Sequence, residues 1–168
     1  MIQPEDIFKK KDFVDSTYSY KLARVYISEK YKEILFVPMG KVNEGTYMET
    51  FEIIRDQWPC DFGEMEINLE NMLNKYNPQM ERHEDFWPAY KASKAKSRKA
   101  FTEHYILLRL ESDYKNSYGE GEAERINVRA QASPLETSYY LIAQKHLIDT
   151  NLAQAVIDIF NACMKIRS

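Results

Sequence analysis

Glycine is scarce in this chain. Five occur in 168 residues, and none is spaced as a phosphate-cradling loop requires. The three histidines, His83, His104 and His146, stand apart, so no helix face offers a zinc-binding pair at i and i+4. Cys60 and Cys163 are the only cysteines, too few for a disulfide framework and not a Cys-x-x-Cys pair. No apolar run approaches the ~20 residues of a membrane-spanning helix. The first residues, Met1 to Asp6, lack the basic and apolar regions of a signal peptide. These absences set an expectation: a cytoplasmic protein with free thiols, no cofactor, no bound metal, and no membrane or nucleic-acid partner.

What is present suits one domain spanning residues 1–168, long enough to bury a sizeable core. Twelve tyrosines and eight phenylalanines supply aromatic material for that core and for interfaces. Charge is unevenly spread. Residues 41–90 hold four Lys or Arg against eleven Asp or Glu, a balance of −7. Residues 91–115 hold seven against three, a balance of +4. Neighbouring blocks of opposite sign create a field that steers partners, although a solvated acidic face is the plainer reading.

The stretch Ser93–Asp113 organises the rest. A basic turn or short helix around Phe101 feeds the strand Tyr105–Leu110, the strongest β signal in the chain and a candidate central strand. Residues 1–20 read as irregular, with Lys9-Lys10-Lys11 among them. Leu22–Ile27 and Ile34–Val37 read as a hairpin turning at Ser28–Lys32, with Pro38 and Gly40 ending its second arm. After the loop at Asn43-Glu44-Gly45, the spacing of Tyr47, Phe51, Ile54 and Trp58 predicts a helix stopped by Pro59. Met65, Leu69, Met72, Leu73 and Tyr76 predict a second. Glu49, Glu52 and Asp56 fall opposite the apolar face of the first, and Glu66 and Glu70 opposite that of the second. Residues 79–92 read as a loop around Phe86, Trp87 and Pro88.

Beyond a polar turn with Gly119 and Gly121, the alternation of Ile126, Val128 and Ala130 predicts a strand paired with Tyr105–Leu110. Ser133-Pro134-Leu135-Glu136 has the form of a helix start, predicting a helix to about Ile148. A last helix carries Leu152, Ala155, Val156, Ile159, Phe160 and Cys163 as an apolar stripe, with Cys163 in the core. The predicted fold is therefore α+β, with an antiparallel or mixed sheet of about four to five strands and packed helices.

No catalytic signature is complete. His104 beside Glu103 has the residue types of an acid–base pair, but a surface histidine explains it as well. Glu111, Asp113 and Lys115 end a strand with the acid-x-Lys spacing of metal-dependent nucleases, where carboxylates hold Mg²⁺. A charged hairpin end accounts for them equally. Lys91, Lys94, Lys96, Arg98 and Lys99 could meet phosphates, yet no aromatic side chains interleave them as in a single-strand platform.

Two segments carry a resemblance. Lys96-Ser97-Arg98-Lys99-Ala100-Phe101 precedes the apolar strand, and Leu152-Ala153-Gln154-Ala155-Val156 opens the terminal helix. Together they resemble the bacterial immunity proteins of contact-dependent growth inhibition systems. That family often shows a Lys-Ser-x-x-x-Phe element before a central strand and a Leu-Gly-x-Ala-Val-like terminal helix. Here Ala153 stands at the glycine, and Asn161-Ala162-Cys163 departs from the pattern. The similar segments cover about a third of the chain. The resemblance implies a non-enzymatic protein that binds and neutralises the C-terminal toxin domain, often a nuclease, of a cognate effector. A nuclease cleft is basic, so the acidic block becomes the expected toxin-binding surface. Its members are Glu44, Glu49, Glu52, Asp56, Asp61, Glu64, Glu66, Glu70, Glu84 and Asp85, with Phe86 and Trp87 as apolar anchors. The alternatives are a metal-dependent nuclease using Glu111, Asp113 and Lys115, or an oligomeric or adaptor protein.

Overall fold

The computed structural model describes residues 18–42, 45–115, 125–132, 139–146 and 151–167. Two long strands open it, β1 (Tyr18–Ser28) and β2 (Glu33–Lys41). Two short ones follow, β3 (Tyr47–Glu49) and β4 (Ile54–Gln57). Three helices come next: α1 (Phe62–Asn74), α2 (Pro88–Ala92) and α3 (Arg98–His104). Strands β5 (Ile106–Lys115), β6 (Arg125–Ala132) and β7 (Tyr139–His146) precede the final helix α4 (Leu152–Arg167). The five long strands lie in the order β2-β1-β5-β6-β7, and every ladder is antiparallel. Strands β3 and β4 both pair with β2, completing a seven-stranded sheet. The architecture is α+β, and β5 runs inside the sheet as its apolar sequence predicts.

Period-two alternation assigns the two sheet faces. Ala23, Val25, Ile27, Ile34, Phe36, Ile106, Leu108 and Leu110 point to one face and form the main core. Helices α1 and α4 cover it with Met65, Leu69, Met72 and Leu73, and with Leu152, Val156, Phe160 and Cys163. Trp58 packs edge-on against Phe160, with ring centroids 5.0 Å apart. Asp61 caps α1 by accepting from the Glu64 amide at 3.0 Å. Tyr26, Leu35 and Val37 point to the opposite face, where Ala89, Phe101 and Tyr105 cover them. Burial on both faces explains why Ile34–Val37 is a continuous apolar run rather than an alternating one.

Five expectations are corrected. Residues 88–92, expected within a loop, form α2, with Pro88 in its first turn. Residues 47–58 are not a helix but β3 and β4. The outer edge of β2 is buried and needs backbone partners, and that demand overrides a helix-like spacing. Residues 139–146, predicted as helix, are β7, which pairs antiparallel with β6, and Tyr139, Tyr140 and Ile142 are residue types that favour strands. The helix start at Ser133–Glu136 lies outside the described residues, as do Lys9–Lys11, Glu44, Gly119 and Gly121. Pro38 and Gly40 do not end β2. The Pro38 carbonyl accepts from the Thr50 amide, and the Gly40 position faces Met80, whose Sδ would lie 2.5 Å from any Cβ there. Asn77 bridges to Gly40 where β1 has already parted from β2 at Ala23–Pro38. Finally, Tyr18–Tyr20 belong to β1 rather than to an irregular leader.

Candidate protein-binding site

Glu49 ends β3 and is 94% buried, at 6% exposure, against the expectation that it faces solvent. Its Oε1 accepts from Arg24 at 3.1 Å and from the Tyr26 hydroxyl. Its Oε2 accepts from the Ala89 amide at 2.9 Å, at the start of α2. Its main-chain carbonyl lies 2.8 Å from His83 Nε2, so that nitrogen carries the proton. One residue thus ties both ends of the 83–89 loop to the sheet. The reason is desolvation: a carboxylate taken out of water needs donors, and Arg24, Tyr26 and the Ala89 amide supply them.

Glu33, at the start of β2 and 1% exposed, repeats the arrangement at the far end of α2. Its Oε1 accepts two bonds from Arg55, at 2.8 and 3.1 Å. Its Oε2 accepts from the Tyr105 hydroxyl and from the Lys94 amide at 3.0 Å. Burial, reinforced by Glu49, pushes the Tyr26 phenol far above its ordinary value. Burial and the hydrogen bond to Glu33 do the same for Tyr105. Two buried carboxylates therefore pin α2 and its flanking loop.

That loop carries the exposed aromatic side chains. Phe86 is 65% and Trp87 38% exposed, as their selection as anchors requires. Phe51, just beyond β3, is 63% exposed and packs against His83 in a tilted arrangement, with ring centroids 4.6 Å apart. It was expected in a helical core stripe, and only the β3 conformation turns it outward. No signal in the sequence marks it. The structure thus gathers Phe51, His83, Phe86 and Trp87 around the loop that Glu49 anchors. Arg98 lies 5.6 Å from the Trp87 ring centroid. Glu52 and Glu84 are exposed beside the aromatic residues.

The other predicted acidic residues divide. Asp85 accepts from Lys91 at 2.8 Å and from the Trp87 amide at 2.9 Å, contacts that hold its carboxyl below the usual range. Asp61 is spent on the α1 cap, and Asp56 on the Gln57 amide. Glu66 accepts from the Leu152 and Ala153 amides at 3.0 and 2.6 Å and so anchors α4 rather than a partner. Glu64 and Glu70 are exposed on α1, away from the loop. The acidic block is therefore not one surface. Its basic neighbour is partly engaged within the chain too, at the surface: Lys94 Nζ donates to the Tyr31 carbonyl, and Lys99 pairs with Glu103.

The two residues of the acid–base alternative have other partners. His104 Nε2 accepts from Lys30 at 2.9 Å, while Glu103 faces Lys99. Glu111, Asp113 and Lys115 take alternate positions along β5, and the side chains of the last two lie outside the described part. No group of three or more potential metal ligands comes together among the described residues.

No protein-family model matches the chain. No curated protein matches it either. Among solved structures, a Neisseria meningitidis protein of unknown function superposes with a TM-score of 0.57. The alignment covers 84% of this chain and 93% of that one at 8% identity. At that identity the likeness is one of fold.

Proposed function

We propose that this protein is an immunity protein that neutralises a toxin domain, a nuclease by preference, by binding it one to one. The observation that supports the reading is the exposed cluster of Phe51, Phe86 and Trp87 with Glu52 and Glu84 beside it. Exposed aromatic anchors on a rigid base, flanked by charge, are what a protein interface needs. The buried Glu49 contacts hold that base, which lowers the ordering cost on binding. The basic rim of a nuclease cleft is the complementary surface for Glu52 and Glu84. The sequence resemblance to the immunity proteins of contact-dependent growth inhibition systems supplies the partner class.

The test is calorimetry with the C-terminal domain encoded immediately upstream, using the parent protein, Phe86→Ala and Phe51→Ala. A stoichiometric complex weakened by at least about tenfold in either variant is expected, the size of a hot-spot truncation. Absence of any complex, or variants that bind like the parent, would refute the reading.

A further inference from the structure

Most charges around α2 and α3 are settled within the chain. Glu49 holds Arg24, Asp85 holds Lys91, and Glu103 holds Lys99. Lys94 donates to the Tyr31 carbonyl. Arg98, beside the exposed aromatic side chains, is different. It is exposed, and among the described residues no carboxylate pairs with its guanidinium. The guanidinium lies instead over the Trp87 ring, 5.6 Å from its centroid. Trp87 is itself 38% exposed, and its indole N–H has no acceptor among the described residues.

Guanidinium and indole are donor-only groups. Two such side chains in contact, with no acceptor of their own, suit an oxyanion that takes bonds on more than one atom. Resting on a ring restrains the long arginine side chain, so less freedom is lost when a ligand arrives. The same patch also carries the opposite sign. Glu52 and Glu84 are exposed, and among the described residues their carboxylates have no ion-pair partner. A nucleic acid would bring a run of phosphates against those two carboxylates. A folded protein can present one carboxylate to Arg98 and basic groups to Glu52 and Glu84. Only a surface of both signs matches the patch.

We infer that Arg98, held over Trp87, is the specificity-determining residue of the interface, and that it receives a single carboxylate of the partner protein. The inference rests on the reading of the aromatic cluster as a protein-binding surface. It adds that the partner is not uniformly basic: it carries an acidic residue beside the pocket that takes Trp87. A partner lacking that carboxylate would bury Arg98 unpaired, and the cost of an unpaired charge turns it away.

The experiment is calorimetry with the same upstream-encoded C-terminal domain, using the parent, Phe86→Ala, Arg98→Lys, Arg98→Met and Arg98→Glu, each checked for folding by circular dichroism. Arg98→Met keeps an unbranched side chain over the ring and removes the charge, whereas Arg98→Lys keeps the charge and removes the fork. The expected result is binding weakened at least about tenfold in Arg98→Met, less in Arg98→Lys and most in Arg98→Glu. Parent-like affinity in Arg98→Met, with Phe86→Ala still impaired, overturns the inference alone and leaves the aromatic interface standing. Arg98→Met binding as well as Arg98→Lys also overturns it, because the side chain would then act by packing. A parent that forms no complex refutes the protein-binding reading and the inference with it. Fluorescence anisotropy with a labelled oligothymidylate supplies the last arm: binding by the parent that Arg98→Met abolishes overturns the inference in favour of a nucleic-acid surface.

Discussion

The two faces of the sheet are held by different physics. On one, α1 and α4 lie across Val25, Phe36, Leu108 and Leu110, and apolar area does the work. On the other, the short helices α2 and α3 have little area to bury. Glu33 and Glu49 fasten α2 instead, through Tyr105, Arg55, Tyr26 and Arg24. Apolar packing is tolerant and non-directional. Buried carboxylates are directional, and any donor they lose leaves a desolvated group behind. The second face can therefore hold a loop with exposed aromatic side chains in one position, which area alone would not do.

The largest expected effect sharpens the apolar side of this contrast. Phe160→Ala should destabilise the protein by about 3–5 kcal/mol in urea denaturation, because Phe160 is buried against Trp58. Phe101→Ala, on the opposite face, should cost a similar ~3–5 kcal/mol, since its ring meets Tyr26 at 5.0 Å and Tyr105 at 4.7 Å. An unchanged denaturation midpoint in either variant would contradict the packing described.

Glu33→Ala tests the polar side. It leaves the Tyr105 hydroxyl and the Lys94 amide without their acceptor, at about 1–3 kcal/mol for each buried group. Arg55 is half exposed and recovers water, so it adds little. Hydrogen exchange should accelerate across residues 88–95 more than across α4. Uniform acceleration would show that α2 is not separately fastened.

Alkaline pH offers a milder way to break the same face. Tyr26 and Tyr105 hold their protons more tightly when folded than in the unfolded chain, where tyrosines titrate near 10. Their contribution to stability is complete below pH 10 and is lost as pH rises beyond it. Ultraviolet titration should show Tyr26 and Tyr105 ionising late, together with unfolding. Tyr26→Phe should remove one late step. Ionisation of both near the ordinary value would refute the shift.

The smallest effect belongs to the aromatic cluster. Phe86→Ala and Glu84→Gln should change stability by less than about 0.5 kcal/mol, as exposed positions do. A loss of several kcal/mol would place Phe86 in the structure's own packing and remove it from the proposed interface.

Much of this was legible in the sequence, for identifiable reasons. The β1–β2 hairpin, the β5–β6 pair, α1 and α4 have apolar periodicities that match the element they form. The basic stretch around Phe101 read as a turn or short helix, and α3 forms there, capped by Ser97, whose side chain accepts from the Ala100 amide at 3.1 Å. Phe86 and Trp87 were legible as exposed because they sit in an aperiodic polar stretch. Residues 47–58 and 139–146 misled, because their spacing fits a helix while their neighbours required strands. The acidic block misled in another way. Composition counts Glu49, Glu66 and Asp85 alike with Glu52 and Glu84, yet the first three are consumed by internal donors.

By itself, then, the sequence determined the α+β class, the long strands of the hairpins, the two long helices and the uneven charge. All of these are local patterns read within about 20 residues or less. Only the tertiary structure decided which carboxylates are buried and that Phe51 turns outward beside His83. Each depends on partners far apart in the chain, such as Glu33 with Tyr105 and Arg24 with Glu49. Burial and register are properties of the packed sheet, and no local spacing encodes them.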